Sequence, residues 1–182
     1  EQDSRHYAVA AKLPMLEPVD SADAIAFARA AFDLSERFDT VVMMRTCTRI
    51  AHSQSIVELG ERITPPEKLY AKNPEKYIMM PAYAKKRHPI VEQRMADLTK
   101  YAEKCPFNRV EPGTRTDLGI ITSGTCYQYV KEVFGDTVPV LKLGMVNPLP
   151  PQLIRDFAAK VDRVAVIEEL DPVIETFCRT FG

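Results

Sequence analysis

The sequence lacks the local patterns by which many metal and redox sites are identified. Its four cysteines form no Cys-x-x-Cys pair, and its three histidines are far apart in the chain. Neither residue type therefore offers ligands at the spacing of a zinc or iron–sulfur site. Four dispersed cysteines in 182 residues are typical of reduced thiols, which predicts a cytoplasmic protein.

Long apolar runs and a strong net charge are also missing. No stretch has the length and apolarity of a bilayer span, and no signal-peptide pattern is present. The net charge is −1 and the sequence pI is about 6.4, without the basic stripe of a nucleic-acid-binding protein. We therefore expect no membrane partner and no nucleic-acid partner. A hydrophobic fraction of 46% is ordinary for a globular chain with one large or two small cores.

Predicted strands and helices alternate in the last third of the chain. Near-continuously apolar strands, LGIITS, VPVLKL and RVAVIEE, alternate with the helical patterns GTCYQYVKEVF, PPQLIRDFAAK and DPVIETFC. Strands of this kind are typical of a parallel sheet covered on both faces, so an open α/β domain is predicted. Asp171 is expected to cap the last helix and Pro172 to occupy its first position. Three strands are few for such a sheet, which predicts a truncated domain.

The earlier part of the chain has a different organisation. Ser21 is the expected N-cap of a helix that ends near residue 38, with Ile25, Ala28 and Phe32 on one apolar face. A strand is predicted at 40–44.

Prolines interrupt residues 54–113, where the apolar spacing predicts a helix at 89–104 with Pro89 in its first turn. We interpret this region as a helical, Pro-rich linker. The chain begins with Glu1 rather than Met, and no strand or helix precedes the stretch EQDSRHYAVAAK. It is therefore expected to be a fragment.

Polar residues follow the predicted strands, where open α/β sheets bind ligands. The stretch RTCTRIAHS places Arg45 and Arg49 on the same side if the strand continues. Two guanidinium groups on one side suit a carboxylate or a phosphate, and inter-subunit ion pairs would explain them equally well. Thr46, Thr48 and His52 complete this cluster, although a single histidine without an identified partner is more often structural.

Two further polar groups have competing interpretations. Ser123, Gly124 and Thr125 could present backbone N–H groups to an anion at a helix N-terminus, but simple capping of the helix is the favoured interpretation. Glu168 and Glu169 cannot act as one carboxylate pair if they continue a strand, because adjacent residues point to opposite faces. One is expected to face a helix dipole, and the other to face solvent or a subunit contact.

Taken together, several motifs resemble one family. The stretches EQDSRHYA, KLPMLEP, RTCTRIAHS, VELGER, GIITSGTCYQYVKEV, LKLGMVNPLP and VIEELDPVIE resemble the large (alpha) subunit of indolepyruvate:ferredoxin oxidoreductase, over nearly the whole chain. The resemblance implies three regions: the end of a pyrimidine-type thiamine diphosphate domain at 1–60, a helical linker at 61–115, and the start of a transketolase C-terminal-like α/β domain at 116–182.

The resemblance also implies a chemistry. Thiamine diphosphate with magnesium would attack an aryl pyruvate, carbon dioxide would leave, 4Fe-4S clusters would take the electrons, and coenzyme A would take the acyl group. A beta (small) subunit, ferredoxin and a dimer of alpha–beta units are the implied partners. The family's cofactor-activating glutamate, its diphosphate-binding domain and its cluster domain would lie outside these residues, so no cofactor is expected in this fragment and the fragment alone is expected to be inactive.

The hypothesis for the polar cluster follows from this placement. The stretch RTCTRIAHS, together with Gln2, Asp3 and Arg5, is expected to form a polar wall and a domain junction near the active-site cleft, without making or breaking bonds. Another 2-oxoacid, such as phenylpyruvate, pyruvate or a branched-chain oxoacid, is an alternative substrate. A non-catalytic α/β module for subunit assembly is the alternative function.

Overall fold

Two sheets organise the chain, and the larger one has mixed strand directions. The computed structural model describes residues 2–181. The order in the larger sheet is β3-β5-β4-β7, where β4 pairs in parallel with both β5 and β7, and β3 pairs antiparallel with β5. These strands span Arg109–Glu111 (β3), Gly119–Ser123 (β4), Val140–Leu143 (β5) and Val164–Ile167 (β7). The predicted parallel α/β sheet is thus present, with one antiparallel edge strand added.

The smaller sheet joins the beginning of the chain to its last third. Its order is β2-β1-β6, and its strands span Met15–Leu16 (β1), Met43–Met44 (β2) and Met145–Asn147 (β6). Gly144 alone separates β5 from β6, so the chain passes from one sheet to the other at this residue. A Cβ atom on Gly144 would lie 2.7 Å from atoms of both Phe27 and Phe107, which leaves room only for glycine.

Helices connect and cover the strands. They span Arg5–Ala11 (α1), Ser21–Phe38 (α2), Thr48–His52 (α3), Pro74–Tyr77 (α4), Pro81–Ala102 (α5), Cys126–Phe134 (α6), Pro151–Ala158 (α7) and Val173–Cys178 (α8), followed by a 3₁₀ turn at Arg179–Phe181. Within residues 2–181, no helix combines the length and the apolarity needed to cross a membrane.

The larger sheet is covered on both faces because its strand residues alternate between two cores. Ile120 of β4 packs with Val130 of α6, whereas the next residue, Ile121, packs with Phe157 of α7 and Ile174 of α8. This alternation follows the two-residue period of a strand. Because both faces of these strands are packed against a core, their sequences are continuous apolar runs.

A second core lies between α2, the end of α5 and the smaller sheet. Phe27 and Leu34 of α2 pack there with Ala102 at the end of α5. Beside this core, the buried Asn108 side chain donates to the Ala102 carbonyl at 2.9 Å and accepts from the backbone N–H groups of Gly144 and Met145 at 3.0 and 2.9 Å. Asn108 therefore fixes the end of α5 to the point where the chain changes sheets.

Several sequence predictions in the first half of the chain are wrong in detail. The N-cap of α2 is Asp20, whose carboxylate accepts from Asp23 N at 2.8 Å, and not Ser21. Phe32 is 77% exposed because the buried face of α2 runs through Phe27 and Leu34 instead. The strand predicted at 40–44 is shortened to β2.

Corrections are also needed in the second half. The long helix begins at Pro81, and Pro89 lies inside it. Three strands were expected in the sheet, but β3, from the predicted linker, is a fourth. The N-cap of α8 is Pro172, and Asp171 lies before it. The three domain boundaries stay a prediction.

The Asn108 contacts predict a large loss of stability on truncation. Asn108→Ala leaves two buried N–H groups and one carbonyl without this side-chain partner, which is expected to lower the free energy of unfolding by about 3 kcal/mol. Urea denaturation of both proteins measures this difference. The exposed control Gln54→Ala should change it by less than about 0.5 kcal/mol, and an equally small effect of Asn108→Ala would contradict the assigned role.

Candidate functional site

A buried arginine lies where the loop after β7 meets the start of the chain. Arg5 is 1% exposed, and its Nε and Nη2 atoms donate to the Asp3 carboxylate at 2.9 and 2.6 Å. Its Nη1 donates to Glu168 Oε2 at 2.5 Å, and Nη2 also donates to the carbonyl oxygens of Glu169 and Asp171 at 2.6 and 2.7 Å. One guanidinium group thus binds two carboxylates and two carbonyls.

These contacts shift the protonation equilibria of the pair. Burial alone would raise the pKa of Asp3, but the hydrogen bonds and positive charge of Arg5 outweigh it and lower the pKa to about 2. Burial would lower the pKa of Arg5, yet the carboxylates around it raise that pKa. Glu168 accepts in addition from the N–H groups of Ile174 and Glu175 at 3.0 and 2.9 Å, so it caps the start of α8.

A second buried ion pair lies near the end of β4. Arg45 Nη1 donates to Glu17 Oε1, and both residues are less than 8% exposed. The other oxygen, Glu17 Oε2, is buried and makes no hydrogen bond within the described chain. Gly124 has a φ of +53°, and a Cβ atom there would lie 2.8 Å from Glu17 Oε1. Glycine at this turn therefore allows Glu17 to approach the start of α6.

Both cysteines of this region, Cys47 and Cys126, are buried. Cys47 Sγ donates to Thr125 Oγ1 at 3.7 Å. Burial, followed by the negative charges of Glu169 and Glu17, raises the pKa of Cys126 to about 11. A thiol with such a pKa is protonated at neutral pH and is a poor nucleophile.

Arg49 is exposed to solvent, whereas Arg45 is buried. Its Nη1 donates to Glu169 Oε1 at 2.8 Å, and its guanidinium group lies 5.4 Å from the centre of the Tyr129 ring, within cation–π range. The arginine borders a hollow of about 250 Å³. The hollow is lined by Val19, Asp20, Arg49, Ile50, Ser53, Ser55, Thr125, Gln128 and Tyr129.

The structure corrects the premise that Arg45 and Arg49 share one side. The strand ends at Met44 and α3 begins at Thr48, so the two-residue alternation does not continue to Arg49. Each arginine has its own carboxylate partner within the chain. The two guanidinium groups therefore do not lie together as a site for one anion. Neither of these ion pairs requires another subunit.

The other predicted groups have mixed outcomes. Thr125 is the N-cap of α6, but its side chain makes no capping hydrogen bond, so the prediction that its side chain caps the helix is wrong. Ser123 is a buried residue of β4. The helix-dipole role expected of one glutamate is confirmed for Glu168. Glu169 accepts from Arg49.

The remaining predicted residues lie at the surface of the same region. Gln2 accepts from the Tyr7 hydroxyl at 3.2 Å, and Thr46, Thr48 and His52 are exposed. Their contact with a ligand stays a prediction. Sequence reasoning missed Glu17, because its only signal is a glutamate inside the apolar stretch KLPMLEP.

One group of side chains has the spacing of a metal site. Ligand atoms of Asp3, His6 and Asp171 lie within 4.8 Å of one another. However, Asp3 is bound by Arg5, and His6 Nε2 is 2.8 Å from Asp171 Oδ2. These internal contacts already use the ligand atoms, and we assign no metal to the group.

Comparison with known proteins identifies sequence relatives along nearly the whole chain. No family model matches it. The indolepyruvate oxidoreductase subunit IorA of Methanothermobacter thermautotrophicus is 40% identical over 180 residues, covering 96% of this chain and 29% of that protein. The IorA subunit of Archaeoglobus fulgidus is 38% identical over 190 residues, covering 100% and 30%. The chain therefore spans about 30% of the length of these relatives.

A solved structure supports the fold. The 2-oxoglutarate:ferredoxin oxidoreductase from Magnetococcus marinus, with 2-oxoglutarate, coenzyme A and succinyl-CoA bound, matches 92% of this chain and 37% of its own with a TM-score of 0.62. At 17% identity, this likeness shows a shared fold alone.

The Asp3–Arg5 pair predicts a specific acid dependence of stability. The pKa of Asp3 is about 2 in the folded chain and 3.8 ordinarily, so its stabilisation is present above about pH 4 and is lost as the pH falls through about 2. The free energy of unfolding of the wild-type chain falls between pH 5 and pH 2, and Asp3→Asn should make this fall smaller by about 2 kcal/mol. Chemical denaturation at each pH measures it. The exposed control Asp33→Asn should retain the wild-type slope, and a retained slope in Asp3→Asn would contradict the assignment.

The resemblance stated from the sequence is therefore confirmed: over 96–100% of its length, this chain is a relative of the indolepyruvate oxidoreductase subunits IorA and corresponds to about 30% of them.

Proposed function

We propose that this chain is part of the catalytic large subunit of an indolepyruvate:ferredoxin oxidoreductase. The observation that carries the proposal is the 35–40% identity to six subunits named IorA, which extends over at least 96% of the chain. The α/β fold shared with a 2-oxoglutarate:ferredoxin oxidoreductase is consistent with it. Neither motif nor pocket in the described residues supports a different enzyme class better.

The proposed reaction converts an aryl 2-oxoacid and coenzyme A to an acyl-CoA and carbon dioxide. The two electrons released pass to ferredoxin. Thiamine diphosphate would supply the carbanion chemistry on the keto carbon.

Iron–sulfur clusters do not fit the described residues. Cys47, Cys105 and Cys126 are buried and Cys178 is half-buried, and no three cysteines of residues 2–181 form a group that could hold a metal. A cluster bound by thiolates requires several of them around one centre. We therefore place the clusters in other parts of the longer protein or in its partners.

Magnesium does not fit the described residues either. Magnesium requires oxygen ligands in octahedral geometry, whereas the one candidate group within residues 2–181 contains a histidine and a carboxylate already bound by Arg5. We propose that thiamine diphosphate and its metal are held outside this chain, and we derive no catalytic step through them.

The contribution proposed for this chain is a wall of the active-site cleft. Arg5 and Arg45 are buried in ion pairs, so they organise the carboxyl edge of the sheet without facing a ligand. Arg49 is exposed beside an apolar hollow, and it can exchange Glu169 for an incoming carboxylate. A 2-oxoacid carries such a carboxylate, and an aryl group suits the lining of Val19, Ile50 and Tyr129.

This assignment predicts the behaviour of Arg49 variants in the complete complex. Arg49→Ala should raise KM for aryl pyruvates by about tenfold because a charge-assisted contact is lost. Arg49→Lys should retain part of the affinity, since it keeps the charge. Steady-state kinetics at saturating coenzyme A measure both. An unchanged KM and turnover, with unchanged subunit assembly, would show that Arg49 does not contact the substrate.

The activity itself is tested on the full-length subunit, purified without oxygen together with its small partner. Reduction of a viologen dye that depends on coenzyme A should be faster with indolepyruvate and phenylpyruvate than with pyruvate and 2-oxoglutarate. Activity with the small oxoacids alone would support the proposed oxidative decarboxylation and contradict the proposed aryl substrate. No reduction by a cofactor-loaded complex would favour the alternative of a non-catalytic subunit-assembly module.

A further inference from the structure

A second cavity lies apart from the hollow beside Arg49. Its volume is about 580 Å³, and it is enclosed by parts of α1, α5, the loop after β6, α8 and the last 3₁₀ turn. Phe177 and Phe181 form part of its wall, and their rings meet edge to face with centres 5.1 Å apart. Pro148 and Pro151 add two further rigid apolar rings. This size and this predominantly apolar lining are typical of small-molecule sites.

The cavity contains no charged group. Among residues 2–181, every side chain that lines it is apolar, a threonine or an asparagine. An ionised carboxylate or phosphate would lose water there without gaining a partner of opposite charge. A ligand of this cavity is therefore neutral, which excludes a 2-oxoacid.

One hydrogen-bond acceptor faces the cavity from a buried position. Asn147 lies at the end of β6, lines the cavity and is only 8% exposed. Its Nδ2 donates to the Leu13 carbonyl at 2.6 Å, which fixes the orientation of the amide because a carbonyl can only accept. Within residues 2–181 no group donates to Asn147 Oδ1. In the same residues Glu17 Oε2 is the one fully buried side-chain oxygen or nitrogen without a partner, so Asn147 Oδ1 is accessible from the cavity.

The hydroxyl groups around the cavity are largely used by the protein itself. Thr99 Oγ1 donates to the Met95 carbonyl at 2.9 Å, and Thr180 Oγ1 donates to the Phe177 carbonyl at 2.7 Å. Neither hydroxyl proton is free to satisfy Asn147 Oδ1. The buried acceptor that remains for a ligand is thus the asparagine carbonyl, and its complement is an N–H or O–H donor.

We propose that this cavity binds a small neutral aromatic molecule that donates one hydrogen bond to Asn147 Oδ1. An aromatic ring suits a wall of phenylalanine and proline rings, since ring edges and faces pack favourably against one another. The donor satisfies an oxygen that would otherwise lose its water when the cavity is filled. The cavity shares no lining residue with the hollow beside Arg49, so the proposal does not rest on the catalytic assignment.

Binding is tested with indole as the probe on the full-length subunit, purified with its small partner. Indole is neutral, aromatic and carries a single N–H donor. Ligand-observed NMR titration should give saturable binding with a Kd below about 1 mM, an affinity that a molecule of this size can reach. Benzoate, which is aromatic but anionic, should not displace indole.

Two methyl derivatives of indole test the role of the Asn147 carbonyl. N-methylindole has lost the donor and should bind about fivefold more weakly than indole. Skatole carries its methyl group on carbon, adds the same bulk and retains the N–H group, so it is the matched control and should bind as tightly as indole or more tightly. Equal affinities for the two derivatives would contradict the assigned hydrogen bond.

Substitutions in two different helices locate the bound probe. Val9→Trp and Val173→Trp each place a large ring in the cavity and should weaken indole binding at least about tenfold. Val133→Trp is the matched control, since Val133 is 72% exposed on α6 outside the cavity. Tyr129→Ala, in the hollow beside Arg49, should leave the Kd for indole unchanged. Circular dichroism verifies that each variant is folded.

Three results would overturn the proposal. The first is the absence of saturable indole binding to the full-length subunit, which would show that another part of the protein covers the cavity or that the cavity takes no ligand. The second is a Kd that both cavity variants leave unchanged. The third is loss of binding in Tyr129→Ala alone, which would place the probe in the hollow beside Arg49.

Discussion

The guanidinium group of Arg5 is the interaction on which the candidate site depends. It joins the start of the chain to the loop between β7 and α8, which lie more than 160 residues apart in sequence. A buried charge without a partner is strongly destabilising, so Asp3, Glu168 and two carbonyl groups must stay in place around it. The position of Glu168 in turn fixes the first turn of α8.

The same logic explains what the polar cluster does. Arg5 and Arg45 are buried and are paired with carboxylates of the chain, so they are poorly placed to bind a substrate. Arg49 differs because it is exposed, pairs with Glu169 as its one carboxylate partner among residues 2–181, and borders a hollow. Rigid buried ion pairs therefore lie beneath one accessible cation, which is the arrangement on which the proposed cleft wall is based.

Local sequence patterns predict the strands that form continuous apolar runs. β4 and β5 are buried throughout, whereas β7 is equally apolar but only partly buried at the edge of the sheet. The edge strand β3 was missed because only three residues form it and two of them are exposed. Because proline suits a first turn, the sequence predicts that the long helix begins at Pro89. Pro81 meets the same requirement eight residues earlier, and the helix continues through the second proline.

The candidate site was predictable in composition but not in geometry. Asp3, Arg5 and Arg49 do meet at the loop after β7, where Arg5 and Arg49 bind Glu168 and Glu169. The side on which each arginine lies depends on where β2 ends, and hydrophobic alternation does not reveal that end. Glu17 was missed because its partner, Arg45, is 28 residues away and no local pattern connects them.

Hydrogen–deuterium exchange of the wild-type chain and of Arg5→Met tests the central claim most directly. The backbone N–H groups of Asp171, Ile174 and Glu175 donate to Asp3 and Glu168. Their protection should be lost in the variant, while that of Ile121 and Leu141 in the sheet remains. Unchanged protection of residues 171–175 in Arg5→Met would show that the loop is held by other contacts, and would contradict the account.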